Sequence, residues 1–423
     1  MLSHLTRVLL LVSTLASACT AEDWPRWRGP RGDGTWNGPQ LQDVWPDEGL
    51  KTRWKTAIGA GYAGVTAVGE RVYVMDRRTE PVEVERVVCF AAETGKPLWS
   101  HSYAVKYGDL DHGTGPRAAV TFSQDRLYCL GALGHLHCLD ARTGDVLWKK
   151  HLVDDLGGRL PQWGFSASPV LFKDRLYVQP GGANGTAAMA LDPRTGAELW
   201  RSLSDKAGYG TPIVIAHRNQ HQLVWWTPSH IRGLDPADGK PLWNVPYEVT
   251  YGVSIATPIF QEGIVFVAGY WHGSRAIRLG ERRTDAELTW EDTKLLRGLM
   301  SQPLYRDGHV YLLDKARGLT CFELATGKKL WDDGNRMTPR GRNPQASLVW
   351  TGREDRVLVL NSEGELILAR LNSKGYDERA RTKIIGSTWA HPAYAGRHVF
   401  ARSDTALVCV ELPVAGKATM PPQ

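Results

Sequence analysis

Residues 139–148 read LDARTGDVLW, and the same phrase returns along the whole chain. It recurs as CFAAETGKPLW ending at Trp99, LDPRTGAELW at Trp200, LDPADGKPLW at Trp243 and FELATGKKLW at Trp331. A degenerate copy, RLGERRTDAELTW, ends at Trp290. Successive tryptophans lie 49, 52, 43, 47 and 41 residues apart. That period suits one four-stranded sheet rather than a helix pair or a leucine-rich turn.

Each copy has the logic of a hairpin. An apolar pair ending in Asp leaves one strand, the Asp-to-Gly segment makes a tight turn with glycine where positive φ is needed, and an apolar strand returns to Trp. Ahead of each copy lies another strand pair of the type SPVLFKDRLYV (168–178), with alternating apolar residues around an Asp or Gly turn. Eight such pairs run from TAVGERVYV (66–74) to HPAYAGRHVFAR (391–402). The last repeat lacks its own closing strand, whereas KTRWKTA around Trp54 reads as one. The expected fold is therefore all-β, an eight-bladed propeller over residues 50–412 closed by its N-terminal strand, which leaves no open sheet edge at the seam.

Residues 1–21 have the form of a signal peptide: His4 and Arg7, an apolar run from Val8 to Leu15, then Ala16-Ser17-Ala18. Cys19 follows at once and is a candidate lipid anchor. Its −3 residue is Ala16 rather than the Leu that a lipoprotein signal prefers, and cleavage after Ala21 would remove it. No later stretch reads as a transmembrane helix. The sequence thus points to a periplasmic or secreted protein. The formal charge of +6 becomes +5 once Arg7 is removed, too little and too dispersed for a nucleic-acid binder.

Residues 22–49 are rich in Pro and Gly and carry Trp24, Trp27, Trp36 and Trp45, rings too costly to leave in water. This leader is expected to pack on the propeller, either as a cap on one end or outer edge or as a plug or arm. Residues 413–423 read as a flexible tail. Cys89, Cys138, Cys321 and Cys409 share one register, filled elsewhere by Ala190, Gly233 or Ala369, so the position wants a small buried side chain. Free core thiols are expected, with a Cys129–Cys138 bridge left open.

The repeat A/L-D-x-x-T-G-x-x-x-W, with the count of eight and the export signal, resembles the quinoprotein-like propellers, whose members include PQQ-dependent alcohol dehydrogenases and the assembly factor BamB. The leader DWPRWRGPRGDG (23–34) looks like the opening of exported PQQ-like repeat proteins. The resemblance implies that Trp99, Trp148, Trp200, Trp243 and Trp331 dock between blades. It also implies that an enzyme of this kind would need an adjacent Cys pair, a Glu and an Asn or Asp on calcium, and a catalytic Asp. The sequence has no adjacent Cys pair and no C-x-x-C-H haem signal.

Other catalytic patterns fail too. Asp109 and Asp111 in YGDLDHGTG read as a solvated turn rather than a calcium loop. GFSAS around Ser166 is not a nucleophile elbow. His135 and His137 share a strand face but have no third ligand at a recognisable spacing, and PGGANG (180–185) lacks the Lys-Ser or Lys-Thr of a phosphate loop.

What remains is a face of the propeller. The segments leading into the inner strands repeat an aromatic residue: Tyr62, Trp163, Tyr209, Tyr251 and Trp389. Longer loops add Asp111, His112, Arg117, Trp271, His272, Arg340, Arg342 and Asn343. Rings with Arg and His between them could grip a protein, peptide or glycan, while the competing reading has the rings wedging the inner strands apart. The expected function is a monomeric, non-catalytic binding or scaffold protein of the cell envelope, BamB-like assembly of outer-membrane proteins being one form. No cofactor is expected. A PQQ-dependent dehydrogenase with calcium and a divergent site is the alternative.

Overall fold

The computed structural model describes residues 21–298, 300–352 and 354–415. Residues 1–20, which hold most of the expected signal peptide and Cys19, lie outside them. Each repeat forms a four-stranded antiparallel blade: 66–104, 121–151, 170–202, 213–246, 259–292, 304–332 and 346–383, numbered here blades 1 to 7. In blade 8 (393–411) the fourth strand is Thr52–Ala57, paired with Ala406–Glu411 so that Lys55 faces Val408. The expected propeller and its N-terminal closure are both present. Among the described residues the only helix is a single 3-10 turn, Thr250–Gly252, and none is long and apolar enough to cross a membrane.

The repeated phrase has a contact behind every fixed letter. The indole N–H of Trp54, Trp99, Trp148, Trp200 and Trp290 donates to a carbonyl in the next blade's turn: Ala92 at 2.8 Å, Ala141 at 3.3 Å, Pro193 at 3.0 Å, Pro236 at 3.2 Å and Leu324 at 2.9 Å. Three residues after each acceptor stands the turn's glycine, Gly95, Gly144, Gly196, Gly239 or Gly327, at φ between 69° and 80°. A Cβ on any of them would lie 2.5 to 2.9 Å from the docked ring. Glycine is thus required twice, by the backbone and by the neighbour's tryptophan.

Across the ladder the tryptophan faces a small residue: Cys89 opposite Trp99, Cys138 opposite Trp148, Ala190 opposite Trp200, Cys409 opposite Trp54. That is why the register accepts Cys, Ala or Gly. The five described cysteines are buried and free, and Cys129 faces His137 rather than Cys138.

One expectation needs correction. Trp290, in the degenerate copy, docks like the others, whereas the N–H of Trp243 turns back into its own blade to Gln222 Oε1 at 2.7 Å. The next turn lacks the Thr-Gly pair: Gly280 is held by Asp285, and its carbonyl meets the His217 ring at 3.0 Å. Trp331 keeps an inter-blade bond to the Asn372 carbonyl at 3.0 Å.

The leader goes further than a cap. Trp24 bridges to Ala67 of blade 1, and Thr35–Trp36 adds in parallel beside Ala346–Thr351, the first strand of blade 7. Between them Arg28, 3 % exposed, donates to the carbonyls of Asp33 at 2.9 Å and Pro303 at 2.7 Å. Trp27 reaches Thr257 Oγ1 of blade 5 at 2.9 Å and lies 4.3 Å from the His391 ring of blade 8. Farther on, Asp43 pairs with Arg356 and Arg370 of blade 7. Residues 413–415, assigned to the tail from sequence, lie against this segment: Leu41 bridges Val414, and Ala415 donates to Gln40.

His135 and His137 share a face, with rings parallel to within 5°. Burial, then neighbouring His151 and Lys149, pulls His135 down to about 4 against the opposing effect of Asp154. Burial, then His101, His135 and Lys149, pulls His137 to about 3.

Two outcomes follow from this packing. Gly144→Ala should cost roughly 2–3 kcal/mol in chemical unfolding, through the strained φ and the overpacked indole, whereas Gly375→Ala, with open space around it, should change stability by less than about 0.5 kcal/mol. Equal effects would remove the docking account. The buried histidines bind protons less readily folded than unfolded, where they titrate near ~6.5. Their stabilisation is present above that pH and is lost as pH falls towards 3. Tm should decline between pH 7 and 4, and less steeply in His137→Gln; parallel declines would sink this assignment.

Candidate functional site

The inner-strand lead-ins are stitched from blade to blade. The amides of Tyr62 and Ala63 both donate to the Pro116 carbonyl at 2.8 Å, and Ser168 N donates to Thr211 Oγ1 at 3.0 Å. Tyr209 N donates to the Ser254 carbonyl at 2.9 Å, and Thr257 N to Gln302 Oε1 at 2.6 Å. Val65 N closes towards blade 8 through the His391 carbonyl at 3.0 Å. These bonds satisfy backbone that lies outside the sheet ladders and fix the side chains that project from it.

Those side chains surround a cavity of about 560 Å³ at one end of the central channel, within the range of small-ligand sites. Tyr62, Trp163, Tyr209, Tyr251 and Trp389 all line it, as do His112, Arg117, Trp271, Arg342 and Asn343. The rings come in pairs, two of them from adjacent blades and one within blade 5. Tyr62 stacks on Trp389 with centroids 5.5 Å apart, Trp163 lies 5.5 Å from Tyr209, and Tyr251 meets Trp271 edge-on at 6.1 Å. Tyr251 is 67 % and Trp271 44 % exposed, so neither is a buried wedge; Tyr209, at 8 %, is.

Three of the sequence candidates serve the scaffold. Asp111 does not line the cavity, and its Oδ2 accepts from Gln162 Nε2 at 2.9 Å. His272 also lies outside the lining, with Nε2 2.7 Å from Thr250 Oγ1. Arg117 does face the cavity, but its guanidinium is spent on the carbonyls of Gly115, Asp111 and His112, the last at 2.7 Å. It staples its own loop. Arg340 reaches the Ala316 carbonyl at 3.3 Å, and Ser166 Oγ donates to the Tyr209 carbonyl at 2.9 Å.

Sequence reasoning missed Trp27, Tyr270, Gln302, Gln345 and His391, all in the lining. Trp27 is the floor, since it also lines a second cavity of about 490 Å³ farther along the channel. His391 packs under it, and burial, with Arg28 adding to it, brings its imidazole to about 3. Gln302 and His391 stand immediately before Pro303 and Pro392, as Ser168, Thr211 and Thr257 do before their prolines. Aligning that residue would have placed both at the lead-in.

Among the described residues the lining holds no Asp, Glu or Cys. Among the described residues no group of three or more His, Cys, Asp or Glu is placed to hold a metal ion. Calcium takes roughly 6–8 oxygen ligands, with carboxylates prominent. The donor set of this mouth therefore does not fit the calcium–quinone arrangement implied by the resemblance.

Exposure separates the two roles of the rings. Trp271→Ala should leave thermal stability unchanged to within about 0.5 kcal/mol, whereas Tyr209→Ala should cost roughly 3 kcal/mol. Comparable losses in both variants would make the whole ring structural.

The sequence and the fold both find relatives. A family model described as "Outer membrane protein assembly factor BamB" matches residues 83–333 and, overlapping, 188–413. BamB from Moraxella catarrhalis superposes with a TM-score of 0.61 at 16 % identity, over 87 % of this chain and 99 % of that one. A europium-containing methanol dehydrogenase gives 0.66 at 13 %, over 90 % of each chain. Quinohemoprotein alcohol dehydrogenase from Comamonas testosteroni gives 0.63 at 14 %, over 95 % of this chain and 82 % of that one. No curated protein matches in sequence. At such identities the superpositions speak for the propeller alone, but the family matches together run from residue 83 to residue 413, and the chain belongs to the family described as outer membrane protein assembly factor BamB.

Proposed function

We propose that this protein is an exported binding or scaffold propeller of the cell envelope, acting through its channel mouth without chemistry of its own. The observation that carries the reading is the mouth itself: paired aromatic rings on a rigid frame, two of them well exposed, around a cavity with no carboxylate in its lining. Exposed rings in a concave site favour ligand burial, and the missing carboxylates and cysteines leave no carboxylate or thiolate nucleophile and no calcium cage among these groups. Export is supported by the form of residues 1–21. Assembly of outer-membrane proteins is the specific form that the family's description suggests, and the partner held at the mouth is a protein, peptide or glycan of the envelope.

The second reading is a PQQ-dependent dehydrogenase with a divergent site. Dehydrogenases that superpose on this chain suggest it, but at 13–14 % identity they support the fold only.

Titration of the mature protein with PQQ and calcium, followed by tryptophan quenching and by dye-linked oxidation of alcohols and sugars, decides between the two. The expected result is no saturable quenching and no turnover. Saturable quenching with turnover would replace the binding reading by the enzymatic one.

A further inference from the structure

The chemistry of the mouth narrows what it can hold. Trp271 and Tyr251 are exposed at its rim, with Lys315 Nζ 4.7 Å from the centre of the Trp271 ring, and Tyr62 and Trp389 form a stacked pair at another side. Between the rings stand the side-chain amides of Asn343 and Gln345, whereas Gln302 is already held by the Thr257 amide and the Met300 carbonyl. Gln345 is 4 % exposed, and its Nε2 has no hydrogen-bond partner although its carbonyl oxygen is within 3.4 Å of Ser301 Oγ. A donor buried to that degree at a cavity wall is costly unless an acceptor arrives. Arg342 is exposed and, among the described residues, has no carboxylate within ion-pair distance. With no Asp or Glu in the lining, nothing there repels an anion.

A peptide needs partners for its backbone N–H and C=O groups, which a sheet edge normally supplies. Here much of the inner-strand lead-in is already tied blade to blade. A sugar makes the opposite demand. Its C–H face suits the negative face of an aromatic ring, and its hydroxyls, each donor and acceptor, suit side-chain amides. A carboxylate on the sugar would take the free fork of an arginine.

We infer that the channel mouth binds an oligosaccharide bearing a carboxylate, such as one containing a uronic acid, with sugar faces on Trp271 and Tyr251, hydroxyls on the amides and the carboxylate on Arg342. This rests on the mouth being a binding site, as proposed above.

The test is an array of neutral and uronate-bearing oligosaccharides probed with the mature protein, followed by calorimetry with trigalacturonate and with its methyl ester. Uronate-bearing members should bind and the ester should bind less well. Arg342→Gln and Trp271→Ala should each weaken trigalacturonate binding about tenfold, an effect the size of one charged hydrogen bond, with Tm unchanged, and added salt should weaken the wild type further. No binding anywhere on the array overturns the inference, as does equal binding of acid and ester with Arg342→Gln silent. An acidic-peptide library screened in parallel separates the two levels. Peptide binding lost in Trp271→Ala removes the sugar and keeps the mouth as a binding site; no binding of either class removes both.

Discussion

The structure depends first on one contact, an indole lying on a glycine of the next blade. The tryptophan needs a small residue behind it, a carbonyl for its N–H and a turn with no Cβ in front, and each of these demands fixes a letter of the repeated phrase. The seam shows how strong the requirement is. Thr52–Ala57 completes the ladder of blade 8, and it also brings Trp54, which docks on Gly95 of blade 1 as Trp99, Trp148, Trp200 and Trp290 dock on the glycines of their neighbours. Ring closure is achieved by the same contact that joins blades elsewhere, so the two ends of the chain are tied by a ladder and by a side chain together.

The leader imposes a second constraint. A propeller of eight blades leaves an axial channel, and here part of it is filled by residues 24–36. Arg28 within it is almost fully buried and held down to about 10, chiefly by burial. It is tolerated because carbonyls of the leader and of blade 6 surround its guanidinium. By carrying Trp27 to Thr257 and His391, the leader sets how deep the mouth cavity runs. The depth of the site is thus decided by a segment that is not part of any repeat.

What was legible in the sequence follows from what is periodic. The blades, the closing strand and the ring of Tyr62, Trp163, Tyr209, Tyr251 and Trp389 repeat in register, and a repeat carries its geometry with it. The path of Trp27 did not, because its contacts lie 230 and more residues away. Arg117 looked like a ligand fork because residue type reveals donors but not whether nearby carbonyls have already taken them. Trp243 followed the pattern in letters, yet the turn it should have met was degenerate. The pattern has to be read on both partners of the contact.

The two faces of the propeller therefore obey different rules. On the turn face Gly and Trp are fixed by docking, where a change in one is felt by the neighbouring blade, and Asp caps its own turn, as Asp140 Oδ1 does for the amides of Arg142 and Thr143. On the mouth face the frame asks only for a hydrogen-bonding group at each lead-in, which Ser168, Thr211, Gln302 and the His391 carbonyl supply in different ways. The exposed side chains on that frame, Tyr251 and Trp271 among them, are free to differ without loss of the fold. A propeller can then superpose on a dehydrogenase along nearly its whole length and still offer amides, an arginine and bare rings where that chemistry would need carboxylates. The function of this chain has to be argued from the mouth, since that is the surface the repeat leaves unspecified.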